Sequence, residues 1–220
     1  MNLKQRRTRW ILGILAVVFI TVGFLVFFYS FSERKHIQYV ERIGGSVRRR
    51  PIIPFEVYNL LPQQFRRYIP EGSVMIVSIS RDSVTDEEIE PISEYFPHLQ
   101  CLDLSGTRIT DEILKPISKY PRLEALFLGE TQVTDEGIKF LSQSRSLTQV
   151  SLNSTKITDA SIVYLSQMKQ LHALSAEGTP LTDKSVEILC QMPNLEFLSV
   201  EETQISDDGL KRLKAKGLLD

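Results

Sequence analysis

Two hydrophobic patterns of different kind divide the chain. Residues 10–31, WILGILAVVFITVGFLVFFYSF, run apolar without a single charge. From Val74 onward the apolar residues are spaced instead at fixed offsets within a repeating unit. Starting at Leu99, LQCLDLSGTRITDEILKPISKYPR aligns without gaps to LEALFLGETQVTDEGIKFLSQSRS, LTQVSLNSTKITDASIVYLSQMKQ and LHALSAEGTPLTDKSVEILCQMPN, each 24 residues long. A sixth unit, LEFLSVEETQISDDGLKRLKAKGL, closes the series, and the first, VMIVSISRDSVTDEEIEPISEYFPH, carries one extra residue.

Positions 1, 4 and 6 of each unit, such as Leu147, Val150 and Leu152 in the fourth, give the alternation of a half-buried strand. Position 11 is always Val, Ile or Leu. Positions 16 and 19, such as Ile138 with Leu141, are three apart and share one helix face. Positions 12 and 13 read Thr-Asp in five units and Ser206-Asp207 in the sixth. A hydroxyl there caps a helix, and a carboxylate in the first turn meets the positive end of its dipole. Each unit therefore predicts strand, turn and capped helix. One unit cannot bury its apolar side alone, so neighbours must stack. Parallel strands pack at ~4.8 Å and helices at ~10 Å, so the stack curves into a horseshoe segment with its strands inside.

These residues resemble the leucine-rich-repeat family, specifically the ribonuclease-inhibitor-like class. The phrase LxxLxLxxTxITDxxLxxL is similar to repeats of membrane-anchored proteins from planctomycete-type bacteria. The resemblance covers residues 74–218 and implies an α/β fold: a curved parallel sheet inside, helices outside, and a protein-binding role. One departure concerns the turn, where the Asn usual in such repeats is replaced by Thr107, Thr131, Thr155, Thr179 and Thr203, and by Asp82 in the first unit. A Thr hydroxyl can still satisfy turn backbone groups.

The 10–31 stretch matches the ~20 residues a helix needs to cross a ~30 Å hydrocarbon layer. Trp10 and Tyr29 stand near its ends, where amphipathic rings favour the headgroup boundary. A cleaved signal peptide is the rival reading, but the run is long for one, and Phe27, Phe28, Tyr29 and Phe31 occupy the place of the small residues that mark cleavage. The density of Lys4, Arg6, Arg7 and Arg9 beside the span favours a cytoplasmic N-terminus with the large domain outside. The expected organisation is a basic tail (1–9), a transmembrane helix (10–31), a basic juxtamembrane linker (32–50), a cap on the first end of the solenoid (51–73) and six repeats (74–220). Residues 33–43 have a helical look that Gly44-Gly45 ends. Arg48–Arg50 either touch anionic lipid or belong to a solvated linker.

Charge sharpens this division. The net charge is −1, yet residues 1–50 hold ten Lys or Arg against two Glu, so the repeats carry the acidic excess. That balance suits an anionic membrane near the N-terminus and disfavours nucleic acid as a partner of the folded body. Cys101 and Cys190 lie three repeats apart, roughly 14 Å at ~4.8 Å per strand step, beyond disulfide reach. His36, His98 and His172 show no ligand spacing, and no catalytic constellation, cofactor motif or metal site emerges. The Asp column is read as helix capping.

Candidate function therefore falls on the inner strand surface, at positions 3 and 5, where the fold leaves residue choice open. Phe127 and Phe197 are turned outward by the alternation and are candidate anchors for an unknown protein partner. Asp103 and Gln149 share that face, while Glu177 and Glu201 make its rim acidic. The leading expectation is a non-enzymatic, membrane-anchored interaction module using its concave face. The alternative is an architectural envelope protein without a discrete soluble ligand.

Overall fold

The computed structural model describes residues 34–51 and 71–219. The 10–31 stretch and nearly all of the expected 51–73 cap lie outside the described residues. No helix among the described residues is long and apolar enough to cross a membrane.

Seven strands form one sheet in strict chain order, six of them from the repeats. Strands β2 (Glu71–Ile79), β3 (Cys101–Asp103), β4 (Ala125–Phe127), β5 (Gln149–Ser151), β6 (Ala173–Ser175) and β7 (Phe197–Ser199) run parallel. Their register joins equal repeat positions: Val77, Leu102, Leu126, Val150, Leu174 and Leu198 stand in one row. All six are buried. Parallel neighbours need a crossover, and each is supplied by a helical segment on the other face of the core, so the result is an α/β solenoid with a parallel sheet.

Helix length varies along the stack for a local reason. Repeats three to six carry α5 (Asp135–Leu141), α6 (Asp159–Leu165), α7 (Asp183–Gln191) and α8 (Asp207–Ala215). In the first repeat Pro91 splits the helix into α2 (Asp86–Ile89) and α3 (Ile92–Tyr95). In the second, Pro116 lies within the short α4 (Leu114–Ile117), which follows a 3-10 turn (Asp111–Ile113). Proline lacks the N–H an unbroken helix would use there. The uniform capped helix predicted for every unit thus holds for four of them.

The expected turn chemistry is present. Thr107, Thr131, Thr155, Thr179 and Thr203 each donate Oγ1 to the carbonyl three residues back, at 2.5–2.8 Å.

The stretch expected as a linker over 32–50, with its helical look over 33–43, packs into the fold. Residues 34–42 form helix α1, Gly44 ends it at φ +86, and β1 (Gly45–Pro51) pairs antiparallel with β2. Ile37, Val40 and Ile43 join the repeat core, His36 stacks on Tyr95 at 4.1 Å, and Tyr39 donates its hydroxyl to the Glu88 carbonyl at 3.1 Å. The first repeat would otherwise expose a sheet edge and an apolar flank, and this helix and strand cover both. Arg48 and Arg49 therefore belong to a paired strand.

Candidate functional site

The Asp column does more than cap. Five of its six carboxylates reach forward to the repeat that follows. Asp86, Asp111, Asp135, Asp159 and Asp183 accept from the backbone N–H of Thr110, Thr134, Thr158, Thr182 and Ser206 at 2.8–2.9 Å. In the first four pairs the threonine Oγ1 donates to the same carboxylate. Ser161 and Ser185 add short Oγ contacts to Asp135 and Asp159. Burial alone would raise the pKa of Asp135 and Asp159, but these serine and threonine hydrogen bonds outweigh it and hold both carboxyls below their usual range. These groups are thereby committed to stacking.

The opposite face of the sheet presents two rows of side chains. Ile76, Cys101, Ala125, Gln149, Ala173 and Phe197 form one; Ser78, Asp103, Phe127, Ser151, Ser175 and Ser199 form the other. These are the predicted positions 3 and 5. Phe197 is 69% exposed, the larger of two exposed big apolar side chains among the described residues; the other, Val163, is on helix α6. Phe127 is half-buried, because β4 has a strand on either side while β7 is terminal.

Phe127, Gln149 and Phe197 line one shallow depression of about 510 Å³. Small residues, Ser151, Ala173 and Ser175, lie between them, and Glu196 joins the lining. Three strand steps put the two aromatic columns roughly 14 Å apart.

The other candidates fall outside this depression. Asp103 accepts from Ser78 Oγ and from the Ser105 N–H, both at 3.1 Å. Glu177 accepts from Ser199 Oγ at 2.5 Å, and Asn153 from Ser175 Oγ at 2.6 Å. Asp103 and Glu177 are thus tied between strands, and Glu201 is exposed at the outer side of β7. Ser151 and Ser175 fall at position 5 of the predicted face without having been singled out, and Glu196 was missed. Cys101 is half-buried on this face, and burial first, with Asp103 nearby, pushes its thiol up. Both cysteines are free. Among the described residues no group of three His, Cys, Asp or Glu is placed to hold a metal ion.

A parallel sheet with a helical crossover in every unit, and a ladder of hydroxyls and carboxylates binding unit to unit, defines a repeat solenoid of the leucine-rich type. The family model described as Leucine Rich repeat matches residues 97–118 and 191–214, and the copies between them keep the same register. In these two stretches the chain is similar to the leucine-rich-repeat family, whose domains are generally protein-interaction modules.

No curated protein matches the chain. Among solved structures, an internalin from Listeria monocytogenes is similar at 23% identity and a TM-score of 0.46, over 65% of this chain and 37% of its own. The chain thus spans little more than a third of that internalin. The actin-binding site 2 of leiomodin-1 is similar at 16% identity and a TM-score of 0.49, over 60% of this chain and 86% of its own.

Proposed function

We propose that the chain is a membrane-anchored, non-catalytic binding module whose sheet face receives a protein partner between Phe127 and Phe197. The observation that carries this reading is Phe197, 69% exposed beside small residues. A large aromatic left in water has no core role. It brings much contact area at little cost in side-chain entropy, which is what an interface anchor needs. The 10–31 stretch is the single span, with the N-terminus cytoplasmic and the repeats outside. Support comes from its uncharged length and the basic residues before it.

Full-length protein is expected to stay with membranes through high-salt and alkaline washes. A photo-crosslinking residue at position 197 in the native membrane is expected to capture one discrete partner, saturably. Phe197→Ala should then weaken that partner's binding by about 1 kcal/mol or more. Release of uncleaved chain into the soluble fraction would sink the anchor. Crosslinks spread over bulk envelope components would instead favour the architectural role.

A further inference from the structure

The two long edges of the solenoid carry opposite charge. One edge holds the turns and helix starts, positions 7–14 of each unit, and there every repeat except the fourth has an acidic excess. The other edge holds the loops that lead from each helix to the next strand. At positions 20–24 the second to fifth repeats place Lys119, Arg122, Arg145 and Lys169 on this loop edge and no Asp or Glu. The sixth adds Lys214 and Lys216.

The negative ends of the helices explain part of this. Lys169, for one, donates Nζ to the Ser166 carbonyl at 3.2 Å. Lys119, Arg122 and Arg145 lie beyond the helices, all three are exposed, and among the described residues none forms an ion pair. Lys119 and Arg145, from adjacent repeats, meet with Gln143 in one depression of about 400 Å³. Two cations and an amide brought together in this way suit the oxygens of a phosphate group. The carboxylates of this edge lie to its sides. Glu124 and Glu196 directly precede β4 and β7 on the sheet side, Glu196 in the depression beside Phe197, and Glu94 belongs to the first repeat.

Helix α1 begins at the same edge. β1 starts with Gly45 opposite Ile79, at the turn edge, so the end of α1 is there too. Its first turn lies at the loop edge, where His36 stacks on Tyr95, the last residue of α3. Arg34 comes three residues after Phe31, and three Cα steps of ~3.8 Å hold it within roughly 11 Å of the apolar stretch. The turn edge is further off by the length of α1, ~13 Å at ~1.5 Å per residue.

We propose that the loop edge rests on the bilayer in which the chain is anchored, with its Lys and Arg side chains on anionic lipid phosphates. This depends on the reading above only in that residues 10–31 span the membrane. The span then brings the loop edge to about one Debye length of the headgroups, ~10 Å at moderate salt, where a negative surface attracts Lys and Arg. The acidic turn edge is directed away from that surface. The sheet face opens sideways, which leaves Phe127 and Phe197 accessible to a partner.

The test uses the full-length chain with Cys101→Ala and Cys190→Ser, carrying one fluorophore at Gln167→Cys on the loop edge or at Ala160→Cys on the turn edge. It is reconstituted into vesicles that contain a lipid with a nitroxide on its headgroup, in phosphatidylcholine alone or with about one third phosphatidylglycerol. Both leaflets share the composition, so the direction of insertion does not matter. In the anionic vesicles the label at position 167 should be quenched several-fold more than the label at position 160. That difference should fall by about half or more without phosphatidylglycerol, in about 0.5 M salt, or in Lys119→Glu with Arg145→Glu. An unchanged circular-dichroism melting curve shows that the double variant folds. Flotation with the vesicles reports the span separately. A chain that floats but is quenched equally at both positions, or regardless of lipid charge and salt, overturns the edge contact and leaves the span standing. A chain that does not float overturns both.

Discussion

Replacing Asp159 and Asp207 by Ala distinguishes a carboxylate that joins two repeats from one that serves its own helix. Asp159 accepts from Thr182 N–H at 2.9 Å, Thr182 Oγ1 at 2.7 Å and Ser185 Oγ. Ser185 is fully buried, so Asp159→Ala leaves its hydroxyl without that acceptor, at a cost of about 1–3 kcal/mol. The half-exposed Thr182 groups regain water and add less. A total near 2–3 kcal/mol follows. Asp207 opens its helix in the same way, and among the described residues no further repeat meets it, so its loss removes a dipole interaction of about 0.3–1 kcal/mol. Urea denaturation followed by circular dichroism measures both. A cycle combining Asp159→Ala with Ser185→Ala should show coupling of about 1 kcal/mol or more. Equal costs for Asp159→Ala and Asp207→Ala would refute the inter-repeat role and return the column to simple capping.

The same carboxylates predict an acid response. Asp135 and Asp159 titrate below their usual range in the fold, so their stabilisation is complete above the unfolded value of about 3.9 and is lost as pH falls through the lower folded values. Chemical denaturation in steps from pH 6 to pH 3 should show that loss, and Asp135→Asn with Asp159→Asn should flatten it. Leu152, fully buried in the fourth repeat, should cost about 2–5 kcal/mol as Leu152→Ala, whereas Phe197→Ala should stay within about 0.5 kcal/mol of wild type. Comparable losses in thermal unfolding would mean the strand face is misassigned. Cys101 should alkylate slowly at pH 7 and faster as pH rises, with Asp103→Asn accelerating it modestly, as followed by mass spectrometry.

The repeat register was legible because it rests on local periodicity. Apolar residues at positions 1, 4, 6, 11, 16 and 19 can be buried together in one way, and a one-residue slip would turn Leu152 to solvent and Ser151 to the core. The same alternation placed Phe127, Gln149 and Phe197 on the open face. Within a unit, Pro91 and Pro116 announced broken helices and were passed over, although that constraint too is local.

Tertiary structure decided what depends on neighbours a full repeat away. Asp159 looks like a first-turn acid, and its partners Thr182 and Ser185 lie 23 and 26 residues further on, so stacking alone reveals the bond. Asp103 and Glu177 looked available for a partner, yet serines of adjacent strands engage them. Phe127 and Phe197 are equivalent by alternation and differ in exposure because one strand is internal and the other terminal. Residues 32–50 read as a basic linker with a helical look over 33–43, and its docking stayed hidden because its few apolar positions, Ile37, Val40 and Ile43, gain meaning against a core assembled from residues 77 onward. Periodicity records which side of its own element a residue faces; what it touches there is set by the distant segment that stacking brings alongside.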